Sequence, residues 1–354
     1  MADAVAGVSA AIRRACSHQV ESRALRAEVV RVLGRHLPVD AYAFVLTDPE
    51  TSVGVDPLAS IPDLGALPRL IALRYTTLTQ RWTTIAHPVS LAGTPAAAHG
   101  PWQEYLLAHG VVDVATVALR DRHGCWGFVD LWSMSRPYAD AELSLLGDLT
   151  EVLTSTVRRC QASTFTRDAA PGDVPSPDAP DGPAVVLLDS TPERGLVITG
   201  ATPGTHAWLA RLLPPETGHA PVPAAVVNVA AQLLAREAGV DAAPALGRVH
   251  VADTVWLRLR ASRLAPSGEI AVSIELAAPA DRVEMFARSH GLSPREQQVV
   301  HVLTEGGDTA ELAARLFISP HTVQDHLKSI FAKAGVHHRS ALLGRVLGAN
   351  PLAP

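Results

Sequence analysis

SPREQQVVHVLTEGGDTAELAARLFISPHTVQDHLKSIFAKAGV, residues 293–336, concentrates the strongest local signals in this chain. Three helix starts follow one another. Ser293-Pro294-Arg295-Glu296 places a Ser N-cap, Pro at the first helical position and Glu at N3, so each side chain can satisfy the other residue's backbone N–H. Asp308-Thr309-Ala310-Glu311 repeats that logic with Asp as the cap, and Ser319-Pro320-His321-Thr322 starts a third helix. Ser340 is placed to cap a fourth. Gly306 and Gly307 end the first helix and Gly335 the third. The spacing therefore predicts helices over 294–304, 309–316, 320–333 and 341–347. Val299, Val302, Leu303, Leu312, Ala313, Leu316, Val323, Leu327 and Ile330 form their inner faces, with Ile318 in the turn. The turn Phe317-Ile318-Ser319 is short, as a helix-turn-helix requires.

The outward face of the third helix carries His321, Gln324, Asp325 and Lys328 at i, i+3, i+4 and i+7. Gln can bond adenine bidentately, Lys can donate to guanine O6 and N7, and Asp can accept from cytosine N4. Thr322, His326 and Lys333 are placed to meet backbone phosphate near the positive end of the helix. A solvated polar face looks the same and is the commoner origin of such a stripe. The charge distribution adds a second signal. The chain carries 30 Lys plus Arg against 35 Asp plus Glu, a net charge of −5, yet its only two lysines, Lys328 and Lys333, both fall here.

The run LSPREQQVV…EGGDTAELAARLFISPHTVQDHLKSIFAKAGVHHRSAL resembles the LuxR-type (NarL/FixJ-like) helix-turn-helix domain over Leu292 to Gly348. Glu296, Gly306, Ala313, Leu316, Ser319, Thr322, Val323, His326, Ile330, Lys333, Val336 and Arg339 stand where that family's pattern wants them. The resemblance implies an all-α four-helix domain whose third helix enters the major groove and whose last helix often makes the dimer contact. It makes Gln324, Asp325 and Lys328 the base readers. Ser319, His321, Thr322, Val323, His326, Lys333 and Arg339 become the backbone or supporting residues. Two positions depart from the pattern. Asp308 replaces a more usual Ser or Asn and still caps. Ala334 replaces a common Leu, which predicts looser packing against the last helix.

Working outward, 354 residues suggest two or three domains. Residues 167–183, RDAAPGDVPSPDAPDGP, are rich in Pro and Asp and read as an extended linker. Before it, residues 8–165 alternate helix and strand patterns. A strand is predicted over 41–47, helices over 68–85 and 101–109, strands over 111–119 and 125–134, and a long amphipathic helix from Leu143. After it, residues 184–278 read as a hairpin (185–190 and 195–200), two helices (205–213 and 224–238) and a three-strand meander (248–252, 255–264, 270–276). Residues 279–291 read as a connecting helix. Both larger segments are α+β, and no internal repeat is visible. VALRDRHGCWGFVDLWSMSRPYADAELSLL resembles the hairpin and closing helix of a GAF domain, and the middle segment resembles a PAS domain. Those resemblances imply sensor domains with a small-molecule pocket. Trp82, Trp102, Trp126 and Trp132, with Tyr42, Tyr75 and Tyr105, are candidates to line one, although core aromatics are the commoner reading. Trp208 and Trp256 pose the same question in the middle segment.

Several chemistries find no support. No apolar run is long enough to span a membrane, and the N-terminus lacks a secretory pattern. Cys16, Cys125 and Cys160 cannot build a disulfide framework, so a reduced cytoplasmic setting is expected. The absence of Cys from 166–291 excludes a flavin–cysteinyl photosensor there. Cys125 with His123 is a weak tetrapyrrole signal, and His206 or His250 as haem ligands is no stronger. His337-His338 lacks partner ligands for a metal. The chain has no Walker A sequence, H-E-x-x-H or G-x-S-x-G, and no receiver-like acidic cluster. No cofactor is expected, and the chain is not expected to be an enzyme.

The expected protein is a cytoplasmic transcriptional regulator binding double-stranded DNA, with sensor-like domains responding to a small molecule or partner. The C-terminal segment 292–354 has only slight positive charge, which favours a homodimer on an inverted repeat with half-sites about one helical turn apart. A sigma-like factor contacting RNA polymerase and a ligand-blind dimeric DNA binder are the alternatives.

Overall fold

The computed structural model describes residues 2–18, 21–166, 184–212, 223–252 and 255–348. The predicted linker at 167–183 lies outside them. The chain divides into two compact units. The described residues among 1–157, 180–249 and 258–275 form the first, and those among 158–179, 250–257 and 276–354 form the second.

The elements run α1 (Ala2–His18), α2 (Ser22–Leu33), β1 (Ala41–Thr47), β2 (Gly54–Ser60), α3 (Leu67–Thr76), β3 (Val89–Ser90), α4 (Pro101–Ala108), β4 (Asp113–Asp121), β5 (Gly124–Ser133) and α5 (Asp140–Ser163). They continue β6 (Ala184–Thr191), β7 (Gly195–Ala201), α6 (Thr205–Leu212), α7 (Ala224–Glu237), β8 (Leu246–Ala252), β9 (Val255–Arg263) and β10 (Ile270–Leu276). The chain then enters α8 (Pro279–Ser289), α9 (Pro294–Thr304), α10 (Thr309–Leu316), α11 (Pro320–Ala334) and α12 (Arg339–Leu347).

Two five-stranded sheets result, ordered β2-β1-β5-β4-β3 and β7-β6-β10-β9-β8. Each reads second-first-fifth-fourth-third in its own strand order, so the chain holds a topological repeat that its sequence does not display. Pairing is antiparallel in β1–β2, β1–β5 and β4–β5, and in β6–β7 and β6–β10. The alternation that predicted β4 and β5 reflects a real pair, with Val117 opposite Val129 and Leu119 opposite Gly127. The short edge strand β3 and the second strand β2 escaped the sequence reading. β2, GVDPLAS, includes Asp and Pro and has only a short apolar run.

The predicted helix over 68–85 is a correction. α3 stops at Thr76, because Thr77 turns extended (ψ 143°) and Gln80 takes a left-handed φ of 53°. Residues 77–85 instead fold as a loop in which Gln80, Arg81 and Trp82 are buried.

The first sheet and most of the second fall within the first unit, only the end of β8 and the start of β9 being assigned to the second, and buried side chains hold the two sheets together in the first unit. α7 is buried at every position from Ala224 to Gln232, the pattern of a helix enclosed by protein. A side chain at Gly54 in β2 would strike Val45 and Asn228 of α7, and one at Gly247 in β8 would strike Val55 of β2. Absent Cβ atoms thus allow close approach. Asp48, fully buried, accepts from Arg248 Nε at 2.7 Å, Arg248 Nη2 at 2.9 Å and the Arg248 backbone N–H at 2.9 Å. Thr51 Oγ1 donates to the Leu246 carbonyl at 2.7 Å, and Arg81 pairs with Asp241 at 2.6 Å. Within the first sheet and its helices, Arg26 pairs with Asp56 at 2.5 Å and Arg74 with Asp130 at 2.9 Å. Asp113 accepts from Ser90 Oγ and from the backbone N–H groups of Ala92 and Tyr138, which anchors the short β3 edge.

Removing one partner of a buried pair leaves the other charge uncompensated, at a cost of about 3–5 kcal/mol. Arg248→Met should therefore destabilise the first unit by that order, while Asp48→Leu/Arg248→Met should recover a large part of the loss. Urea unfolding followed by tryptophan fluorescence checks this, because all tryptophans except Trp256 lie in the first unit. Equal midpoints for wild type and Arg248→Met would disprove the role assigned to the pair.

Candidate nucleic-acid interface

In the second unit the first three predicted helix starts are built as the capping chemistry requires. Ser293 Oγ accepts from Glu296 N while Glu296 Oε2 accepts from Ser293 N. Asp308 accepts from Ala310 N and Glu311 N, and Glu311 reaches back to Asp308 N. Ser319 caps α11 through Thr322 N at 3.1 Å, and Gly335 ends it with φ 63°. The fourth start differs from expectation. α12 begins at Arg339, and His338 rather than Ser340 caps it, with its Nδ1 accepting from Ala341 N at 3.2 Å.

The core includes the predicted Val299, Leu303, Leu312, Ala313, Leu316, Val323, Leu327 and Ile330, with Val302 and Ile318 half-buried. It also reaches further than the sequence boundary at Leu292. Phe165, Trp256, Val283, Met285 and Phe286 belong to the same cluster. Phe165 stacks on Trp256 with ring centroids 5.2 Å apart and meets Phe286 edge-on at 5.5 Å. His290 stacks on Phe286 at 4.0 Å, and burial pushes its pKa down to about 4, so it is neutral at pH 7. Val283, Met285 and Phe286 lie in α8, just before these helices, whereas Phe165 lies before the linker and Trp256 in the middle segment, and no local periodicity connects those two to the C-terminal core.

Arginines tie helix ends together. Arg295 Nη2 donates to the Leu316 carbonyl at 2.6 Å, joining α9 to the end of α10. Arg345 donates to the Ala334 carbonyl, so the end of α11 is held by α12. Ala334 itself is buried. Arg282 Nε donates to the Val346 carbonyl at 3.1 Å, and burial lowers its pKa to about 10. Positive groups at helix C-termini satisfy orphan carbonyls and favour the dipole.

α11 separates the expected DNA residues into two groups. His321, Gln324, Asp325 and Lys328 are all exposed along its outer face. Lys328 Nζ lies 3.2 Å from Asp325 Oδ1, and His321 Nε2 lies 3.5 Å from Asp325 Oδ2. Exposed pairs of this kind contribute about 0–1 kcal/mol, so these side chains can exchange partners at little cost. Val323 is fully buried and serves the core, Thr322 and His326 are half-buried, and Ser319 is exposed but engaged in the cap. Arg339 donates to the Gly307 carbonyl.

Lys333 has a different environment. Its Nζ bonds Glu296 Oε2 at 2.6 Å, and Ser329 Oγ bonds Glu296 Oε1 at 2.6 Å. The Glu296 side chain is 5% exposed. Burial alone would raise its pKa, but Lys333, Ser329 and the Ser293 N–H and hydroxyl outweigh that and lower it to about 2. One buried carboxylate thus closes the α9 cap and fastens α11 to α9.

The aromatic candidates are buried. Trp82 and Trp102 both flank the Arg74 guanidinium, at 5.2 and 4.3 Å from its central carbon. Trp132 packs in one cluster with Trp102, and Trp126 Nε1 donates to Asp121 at 2.9 Å. Tyr75 is buried with its hydroxyl accepting from Gly54 N, whereas Tyr42 and Tyr105 are half-buried. Trp208 is buried as well. The three cysteines are buried and not disulfide-bonded. Among the described residues, no cluster of three or more His, Cys, Asp or Glu could hold a metal. No helix there is long and apolar enough to cross a membrane.

Residues 290–345 match the family model described as bacterial regulatory proteins, luxR family. The C-terminal helices are thus a LuxR-family helix-turn-helix domain. A Mycobacterium tuberculosis protein named as an HTH-type transcriptional regulator is 45% identical over 58 residues, 16% of this chain. The chain spans 7% of that relative's length. The spore germination protein GerE of Bacillus subtilis is 38% identical over 56 residues, 16% of this chain and 76% of GerE. Among solved structures, Escherichia coli SdiA is similar over 94% of this chain and 93% of its own, at 14% identity and a TM-score of 0.34. The chromophore-binding domain of a bacteriophytochrome from R. palustris covers 44% of this chain and 60% of its own, at 12% identity and a TM-score of 0.31. Scores of that size do not establish a common fold for the first unit.

Because the Glu296 pKa is lowered in the folded protein, its contribution to stability is fully present above about pH 4.5 and is lost as the pH falls from there towards 2. The lowering corresponds to on the order of 3 kcal/mol. Glu296→Gln should therefore destabilise the second unit near neutral pH, with the deficit against wild type shrinking below about pH 4. Denaturant melts at several pH values, read through Trp256, check this. A deficit independent of pH would contradict it.

Proposed function

We propose that this chain is a transcriptional regulator of the LuxR type that binds double-stranded DNA through α11 and acts by binding rather than catalysis. The observation that carries the reading is the exposed row His321, Gln324, Asp325 and Lys328 on the second helix of a LuxR-family helix-turn-helix. The row sits on a rigid helix whose ends and inner face are fully engaged. Gln324, Asp325 and Lys328 are the base readers. Ser319, His321, Thr322, His326 and Arg339 are the groups near phosphate. Lys333 acts by fixing α11 rather than as a primary contact, and Val323 by packing. The domain's small net charge limits single-site affinity, so a homodimer on an inverted repeat is the binding form.

The first unit is the sensor in this reading. Two antiparallel sheets of one strand order, each with helices against it, support the GAF-like and PAS-like assignments at 8–165 and 184–278. A small molecule that binds one arrangement of that unit more tightly would shift the population competent for DNA. The setting is the reduced cytoplasm.

Selection of genomic fragments by the full-length protein tests the reading. A palindromic site should be enriched. Lys328→Ala should weaken binding to that site by about 1–3 kcal/mol and relax preference at one base pair in each half-site. Asp325→Ala should raise binding to unrelated DNA, since it removes a negative charge from the phosphate-facing surface. Enrichment of no sequence, or an unchanged profile for Lys328→Ala, would remove α11 as the reading element.

A further inference from the structure

The loop at 77–85 brings together three features with no common structural purpose. Arg74 and Gln80 are each more than nine-tenths buried. Arg74 Nη1 and both amide atoms of Gln80, Nε2 and Oε1, have no hydrogen-bond partner. Gln80 is also held at φ 53°, a left-handed conformation that a residue with a side chain adopts at an energetic cost. The two residues are linked, because Arg74 Nη2 donates to the Gln80 carbonyl at 2.9 Å.

The rest of Arg74 is fully engaged. Asp130 accepts from its Nε at 2.9 Å and its Nη2 at 3.1 Å, and Thr116 Oγ1 donates to Asp130 at 2.7 Å. This carboxylate fixes the plane of the guanidinium and cancels its charge. Trp102, Trp82 and Phe128 rings surround it at 4.3, 5.2 and 5.9 Å. Trp82 and Phe128 stack on each other at 4.4 Å. A rigid donor amid aromatic faces, beside an amide with its donor and acceptor both unused, is the composition of a recognition point. The buried charged groups Arg26, Asp48, Asp113 and Arg248 of this unit are paired, and its other partnerless buried side-chain atoms, Ser22 Oγ, Arg69 Nε and Trp132 Nε1, are single atoms, whereas three such atoms meet at Arg74 and Gln80.

We propose that Arg74 and Gln80 recognise a small, uncharged, flat molecule with an amide-type edge, such as a carboxamide, a lactam or a nucleobase-like ring. The Arg74–Asp130 pair is neutral overall, so an anionic ligand would bring an uncompensated charge into the interior. The Arg74 Nη1 N–H requires an acceptor. Gln80 requires an acceptor and a donor side by side, which an amide supplies. The tryptophan and phenylalanine faces suit a planar body. This deepens the sensing half of the proposed function and rests on it. DNA selection with Lys328→Ala reads a different unit, so the two tests fail independently.

The experiment uses the full chain with 2-pyridone and benzamide as probes and toluene as the apolar control. Tryptophan fluorescence titration and the thermal midpoint are the readouts. Gln80→Met removes the amide at similar size. Gln80→Gly removes it and suits the left-handed backbone, so at least one variant retains the fold. Both amides should bind wild type saturably and quench fluorescence, with a tenfold or greater loss of affinity in both variants. Toluene should show no difference between wild type and variants. Failure of both amides to bind wild type overturns the proposal and leaves these atoms to buried water. Equal binding to wild type and variants, or toluene binding as tightly as the amides, overturns it as well.

Discussion

Asp48 has no contact with solvent, and its carboxylate accepts from the Glu50, Thr51 and Arg248 backbone N–H groups and from two nitrogens of the Arg248 guanidinium. Taking a carboxylate out of water costs several kcal/mol, and only that complete set of donors offsets it. The donors come from two segments about 200 positions apart in sequence, the turn after β1 and the strand β8. Placing Asp48 therefore requires β8 to arrive beside the end of β1, and with it the second sheet. Glu50 adds a second acceptor to the same guanidinium at 2.6 Å, so a planar donor fork is matched on more than one edge. Arg81–Asp241 and Thr51–Leu246 repeat the device at lower cost, one a less deeply buried ion pair and the other a neutral hydrogen bond.

That constraint explains why two segments that look independent by composition pack into one unit. Each strand pattern was readable because alternation is local and survives whatever packs on it. The union was not, because Asp48 and Arg248 are 200 positions apart and each alone looks like an ordinary surface residue. The same reasoning covers Phe165 and Trp256, which complete the core of the C-terminal helices although neither is near them in sequence. The topological repeat stayed hidden for a related cause. Sheet order is a long-range property, and two sheets can share it with no similar residues at equivalent positions.

The C-terminal helices were legible almost to the residue because their starts and stops are encoded by caps, which act over three or four positions. The exceptions are informative. His338 replaces Ser340 as the cap of α12 because an imidazole nitrogen can accept from Ala341 N, an option that counting hydroxyl residues overlooks. The overextended helix at 68–85 is a failure of another type. Its apolar spacing favours helix through Trp82, yet the chain breaks at Thr77 and puts a left-handed Gln80 in the interior. Local preference and final structure disagree there, and disagreement of that kind concentrates at positions selected for something other than stability.

The two lysines show how little residue type says without its surroundings. Both lie on α11, five positions apart, and by sequence both suit phosphate or base contact. Lys333 Nζ bonds a carboxylate whose side chain is 5% exposed and which Ser329 and the Ser293 N–H also hold, so freeing it would strand a buried charge. Lys328 Nζ rests on an exposed carboxylate that a competing anion can replace at little cost. Of the two, only Lys328 can surrender its present partner to a nucleic acid without destabilising the domain that presents it. The same criterion applies along the helix. Gln324, Asp325 and His321 hold no contact whose loss would open the core, whereas Val323, Ser329 and Lys333 do. One face of α11 is thereby left available for the proposed recognition, and the opposite face is committed to holding α11 against α9.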